Sequence, residues 1–254
     1  MNLKLNHLYS QNLNIYGDLG NIIAFKYKAE KAGINLYVSH TEIGEEISEA
    51  DIYFIGGGQD QDQILVYEDL LRHKGFILNE VEKGKVFLLI CGGYQLFGKY
   101  FVDGEGNALK GLSILDLETN SPDSKVSSRC IGNIVAQLNS GFIKHWDVDA
   151  SFSKYIVGFE NHGGQTKLLT DQVKPIGEVI KGFGNNSTDK VEGCFYKNII
   201  GSYMHGSFLP KNPHITNAIL KKALLQKYND VTFENLYEGE EKKAHQLILM
   251  RSGF

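Results

Sequence analysis

Short, fully apolar runs alternate with amphipathic stretches through the first part of the chain. Residues 5–9, 35–39, 51–55 and 85–90 read as strands. Residues 22–31, 63–74 and 76–83 carry apolar positions at helical spacing, and Gly33 stops the first of these helices. Residues 12–21, with Gly17 and Gly20, form a turn-rich loop. Apolar runs without alternation suit strands covered on both faces, so this order predicts a parallel sheet between helices. After Leu109 the pattern changes. Residues 129–138, 155–160, 176–179 and 193–203 mix Thr, Ser, Val and Gly with alternating polarity. They read as antiparallel strands that extend the sheet. Pro213 opens a helix to about residue 228, and residues 233–250 read as a terminal helix. No repeat, low-complexity tract or linker interrupts the chain. The expectation is one domain over 1–254, with 210–254 as a C-terminal helical extension.

The strand at 85–90 ends abruptly in Cys91-Gly92-Gly93, and a helix-like segment follows. A sharp strand-to-helix turn exposes a side chain, and glycines remove the Cβ atoms that would clash there. This is how a fold presents a nucleophile, and Cys91 is the candidate. A buried cysteine acting as a small hydrophobe is the plainer alternative. Leu89 stands where such elbows usually have glycine, so its side chain must be accommodated in the core. A thiol nucleophile needs a base. Ser202-Tyr203-Met204-His205-Gly206 places His205 just after an apolar strand. Upstream, residues 52–55 run into Gly56-Gly57-Gly58.

Composition narrows the function without naming it. The chain has 254 residues, 42% hydrophobic and 22% charged, and a net charge of −4. That is ordinary for a globular protein and offers no basic footprint for nucleic acid. The three cysteines, Cys91, Cys130 and Cys194, are too far apart in sequence for a disulfide framework or a metal-ligand motif. Free thiols suit a reducing cytoplasm. The N-terminal residues lack the apolar core of a signal peptide, and no apolar run is long enough to span a bilayer.

Taken together, the Cys91 elbow, the Tyr-x-His-Gly segment and the strand–glycine turn resemble class I glutamine amidotransferase domains. The resemblance is to the cobyric-acid-synthase-like branch, in which Tyr-x-His-Gly replaces the usual His-x-Glu. Residues 13–21, 56–60, 129–133 and 158–164 resemble more narrowly the GatD subfamily, the glutaminase subunits of lipid II isoglutaminyl synthases. The likeness covers about residues 1 to 210. It implies a three-layer, flavodoxin-like α/β domain with a mostly parallel central sheet extended by antiparallel strands.

The resemblance also implies chemistry. Cys91 would attack the side-chain amide of L-glutamine, release ammonia and leave a glutamyl thioester for water. His205 would be the general base and acid. Gly92, with Gly57 or Gly58, would supply oxyanion donors, one or more of the glycines serving only the turn. Arg129 would bind the glutamine α-carboxylate through its planar fork. Ser207 stands where common relatives carry Glu, so the site is a Cys–His dyad or takes a carboxylate from elsewhere. Asp18 is a candidate, Glu160 a weaker one, and a backbone carbonyl could fix the tautomer instead. No cofactor is expected in this chain, since it has no phosphate-binding Gly-Lys-Ser/Thr loop. ATP and Mg are expected on a partner, a MurT-like Mur ligase subunit in a heterodimer that amidates the D-glutamate of lipid II. The alternatives are a glutaminase for another amidation, such as a cobyric-acid-type one, and a catalytically silent regulatory module on the same fold.

Overall fold

A computed structural model describes residues 1–102, 106–121, 129–229 and 231–254. The first half winds as β1 (Asn2–Leu8), α1 (Leu19–Lys31), β2 (Asn35–Thr41), β3 (Ile52–Ile55), α2 (Asp60–Arg72), α3 (Lys74–Glu82), β4 (Val86–Ile90) and α4 (Gly92–Leu96). Then come β5 (Tyr100–Val102), β6 (Ala108–Lys110), β7 (Leu117–Asn120), β8 (Cys130–Leu138), α5 (Ser140–Trp146), β9 (Tyr155–His162) and β10 (Gln165–Leu168). The chain closes with β11 (Gly177–Lys181), β12 (Val191–Glu192), β13 (Cys194–Tyr196), β14 (Ile199–Ser202), β15 (Met204–His205), α6 (Phe208–Lys211), α7 (Pro213–Lys227) and α8 (Gly239–Arg251).

The central sheet has six strands in the order β13-β14-β4-β3-β1-β2. Its β2, β1, β3, β4 and β14 pair in parallel. Every residue of β3 and β4 is buried, as their unbroken apolar runs require. From β1 the chain steps outward to β2, and from β3 it steps the other way to β4. Loops after β1 and β3 therefore diverge and leave a crevice at the carboxyl edge, where open α/β sheets bind ligands. The loops after β1, β3, β4 and β14 all end there. They carry Asp18, Gly57 and Cys91 and lead, after β14, directly to His205 on β15.

The later strands depart from the expected extension. Only β13 adds an antiparallel edge to the central sheet. The other described strands form two further sheets, β10-β7-β5-β6 and β12-β11-β8-β9-β15. Alternating polarity marks a half-buried strand but does not say which sheet receives it, because pairing is a long-range choice. Here β8 pairs with β9 over eight successive residues, Cys130↔His162 to Gln137↔Tyr155, and forms a platform of its own. Its far edge, β15, is the segment that holds His205.

His214 on α7 is fully buried, and neither ring nitrogen has a conventional hydrogen-bond partner among the described residues. Burial, helped by nearby His245, pushes its pKa down from 6.5 to about 3. It therefore stays neutral in the fold while the unfolded chain takes up a proton below pH 6.5. Stability from this group is fully present above that pH and is lost as pH falls toward the folded value. At pH 5 the cost is roughly 2 kcal/mol. Accordingly His214→Phe, compared with wild type by urea unfolding, should gain about that much between pH 7 and pH 5. A difference between the two proteins that does not move with pH would contradict this.

Candidate active site

Strand β4 delivers Cys91 to the carboxyl edge with φ +48° and ψ −102°. A left-handed backbone is costly for a residue with a side chain and persists only where neighbours fix it. Here Cys91 N–H donates to Ser202 O at 2.9 Å, and Cys91 O accepts from Gln95 N–H at 3.0 Å. Gly93 must be glycine, since a Cβ there would lie 2.7 Å from Ile55 Cγ2. Leu89, the departure from the usual elbow, is fully buried and so fits the core.

Three loops bring a histidine and a carboxylate to the thiol. His205 Nδ1 lies 3.3 Å from Asp18 Oδ1, and both side chains are fully buried. The carboxylate accepts, so Nδ1 carries a proton toward Asp18 and Nε2 is the nitrogen that can exchange a proton with the thiol. Nε2 has no conventional hydrogen-bond partner among the described residues, and its ring interacts with the Cys91 sulfur. Burial alone would depress the His205 pKa. Cys91 and Asp18 outweigh it and push the value up to about 10. The surroundings thus favour an imidazolium between thiol and carboxylate. The Tyr16 ring meets the His205 ring edge-on at 5.2 Å.

Gly57 is the wedge between these groups. A Cβ at this position would come within 2.5 Å of His205 Cε1 and 3.2 Å of Cys91 Cβ. Its N–H donates to Asp18 Oδ2 at 2.7 Å. That bond corrects the expectation that Gly57 could be an oxyanion donor, because its only N–H is already engaged. Gly58 and Gly92 remain. Neither N–H has an acceptor among the described residues, and a Cβ on Gly92 would lie 3.1 Å from Gly58 N. Two unspent donors beside a thiol are what a developing oxyanion requires.

The other candidates fall at different distances from this centre. Glu160 is not the orienting carboxylate. Its oxygens accept from Phe183 N–H at 2.8 Å and Gly184 N–H at 2.9 Å. On β15 it is Met204, not His205, that pairs with Glu160, and side chains of successive residues point to opposite faces. Arg129 is exposed and donates to Asn161 Oδ1 at 3.0 Å, beside the Gly163 turn. The next residue of that turn, Gly164, lies against Gln95 on α4. Arg129 is thus tied to that turn and makes no hydrogen bond or ion pair with Cys91 or His205. Cys130 and Cys194 are buried, and burial raises both thiols, Cys194 up to about 12.

Several contributors were not singled out in the sequence. Gln63 is buried against Gly92, with its Nε2 3.4 Å from Gly58 O and its Oε1 without a partner among the described residues. Gln95 Nε2 donates to Tyr203 Oη at 3.0 Å, and the Tyr203 ring stacks on His162 at 3.7 Å. Gln95 lies four residues after Cys91, so it shares its helix face; that spacing was the available signal. Glu192 Oε1 accepts from Ser202 Oγ at 2.6 Å and Tyr203 N–H at 3.0 Å, bracing the strand ahead of His205. Burial pushes its carboxyl up to about 7.

A cysteine on a strand-to-helix elbow, a histidine at its thiol and a carboxylate behind the histidine make a site for acyl transfer through a thiol ester. On a doubly wound sheet this arrangement is that of the class I glutamine amidotransferases. The chain belongs to the CobB/CobQ-like glutamine amidotransferase domain family, which matches residues 4–213. It is 38% identical to the lipid II isoglutaminyl synthase (glutamine-hydrolyzing) subunit GatD of Staphylococcus aureus strain N315, over 98% of this chain and 96% of that one. It is 39% identical to the Streptococcus pneumoniae protein of the same name, over 99% and 94%. Among solved structures, PurLQS from Thermotoga maritima superposes with a TM-score of 0.58 at 14% identity. That match covers 90% of this chain and 100% of that one, and it speaks for the fold alone.

Proposed function

We propose that this chain is the glutamine-hydrolysing subunit of a lipid II isoglutaminyl synthase. The reading is carried by near-complete coverage at 38% identity to a subunit so named, with an intact Cys91–His205–Asp18 arrangement at the crevice. Cys91 Sγ gives up its proton to His205 Nε2 and attacks the amide carbon of L-glutamine. Gly58 and Gly92 N–H groups receive the oxyanion. The tetrahedral centre collapses, the C–N bond breaks, and His205 passes its proton to the leaving ammonia. A water, deprotonated by His205, then cleaves the thioester and returns glutamate and the free thiol. Asp18 keeps the His205 tautomer fixed throughout, and Arg129, exposed beside the Gly163 turn, takes the glutamine α-carboxylate.

Ammonia is mostly ammonium at neutral pH and is then no nucleophile, so it must reach its acceptor sheltered. The acceptor belongs to a partner, a MurT-like Mur ligase subunit in a heterodimer, which uses ATP and Mg to activate the D-glutamate of lipid II. The setting is the cytoplasm. No described helix is long and apolar enough to cross a membrane, and the lipid-linked substrate is left to the partner.

The test uses the purified heterodimer with ATP, Mg, lipid II and glutamine labelled with nitrogen-15 in its amide. The label should appear in D-isoglutamine, mole for mole with glutamate released. Hydrolysis without transfer to lipid II would assign the chain to another amidation. No hydrolysis with the partner present would leave the silent-module reading.

A further inference from the structure

The turn that follows His205 has two consecutive left-handed residues, Gly206 at φ +66° and Ser207 at φ +53°. A serine does not adopt that backbone unaided. The ring direction of His205 depends on this turn, so what pins the turn also aims the base. Three bonds do so. Ser207 Oγ donates to Gly17 O at 2.6 Å, Leu209 N–H donates to Asn21 Oδ1 at 2.9 Å, and the Lys211 ammonium donates to Gly206 O. Lys211 is half-buried, burial lowers its pKa, and Asp18 partly opposes that shift. Its positive charge is thus placed on the turn that follows the catalytic histidine, within electrostatic reach of Asp18.

Lys211 is itself held from a distance. His245, on the C-terminal helix α8, is buried and unused by the reaction. Its Nδ1 lies 2.7 Å from Lys211 O, and its Nε2 lies 2.9 Å from Ser153 Oγ. A carbonyl can only accept, so Nδ1 carries the proton and Nε2 accepts from the serine. The helix is docked by a second buried contact. Lys28, inaccessible on α1, bonds Glu241 at 2.5 Å and Leu236 O at 2.8 Å. All of α8 lies beyond the 4–213 span of the family domain.

We propose that Lys211 is a positioning residue for His205, and that α8, acting through His245, holds Lys211 where it aims the base. The inference rests on the glutaminase reading above. It predicts a defect in the chemical step and none in glutamine binding.

In the heterodimer, Lys211→Met should lower kcat for glutamate release about 10- to 100-fold with KM unchanged, the scale of a misaimed catalytic group. Alkylation of Cys91 by iodoacetamide should slow in parallel, and Tm should hold. His245→Leu should shift both readouts the same way, and His245→Gln, which keeps a donor toward Lys211 O, should shift them less. A Lys211→Met kcat within twofold of wild type, or a loss carried by KM, would overturn the proposal. Should that variant not fold, His245→Leu decides alone, and a normal kcat sinks the idea. A wild type that releases no glutamate condemns the glutaminase reading instead. Alkylation rates of wild type and Lys211→Met would still judge the positioning role, with equal rates counting against it.

Discussion

Asp18→Asn should lower kcat for glutamine hydrolysis about 10³-fold, or roughly 4 kcal/mol of transition-state stabilisation. Both neighbours of the carboxylate are donors: His205 Nδ1–H at Oδ1 and Gly57 N–H at Oδ2. An asparagine has one acceptor and one donor at that end, so either orientation sets N–H against N–H. Facing His205, the amide donor forces the proton onto Nε2 and removes the base. Facing Gly57, it disturbs the wedge between thiol and imidazole. Cys91→Ala, measured alongside, should leave no turnover. The plain alternative is that Asp18 only shapes the loop ahead of α1, whose N-cap position it occupies without a side-chain capping bond. In that event Asp18→Asn keeps kcat within about threefold, since asparagine suits that position as well as aspartate. Glutamate release at saturating glutamine separates the two.

The parallel half of the fold was legible because burial on both faces writes itself locally. The runs at β3 and β4 have no polar position, and each ends at glycine or at Cys91. From those strand ends the carboxyl-edge crevice follows, and with it the neighbourhood of Cys91, Gly57 and His205. What failed to show was whatever depends on distant pairing. The alternating strands β8, β9 and β11 formed their own sheet, since a half-buried strand does not declare its partner. The predicted helix at 233–250 begins only at Gly239, with a Glu238–Glu241 capping box. Tyr237 before it stacks on Phe152 at 4.3 Å and is bound in extended chain by tertiary contacts. Asp18 could be weighed but not chosen from sequence. It lies 187 residues from His205, and only the shared crevice brings them together. Lys211 and Gln63 look like ordinary polar helix residues until their neighbours are known.

Gly57→Ala should lower kcat about 10²-fold while the fold survives. The substitution is benign to the backbone, because Gly57 has no positive φ. The cost is steric and falls on the catalytic pair, with the new methyl 2.5 Å from His205 Cε1 and 3.2 Å from Cys91 Cβ. Gly57 has nowhere to retreat. Its N–H is bound to Asp18 at 2.7 Å, and its carbonyl accepts from Ile15 N–H at 3.1 Å. The imidazole must therefore swing away from the thiol or drag Asp18 with it, and either motion breaks the proton path. Gly58→Ala meets a softer neighbour, Leu13 Cδ2 at 2.4 Å, the far end of a flexible side chain. Its backbone N–H stays without an acceptor among the described residues and remains available to an oxyanion, so it should lose less. The order Gly57→Ala below Gly58→Ala in kcat, at matched Tm, is what a wedge and a donor predict. The reverse order would make Gly57 a mere turn residue and move the burden of catalysis onto the oxyanion donors.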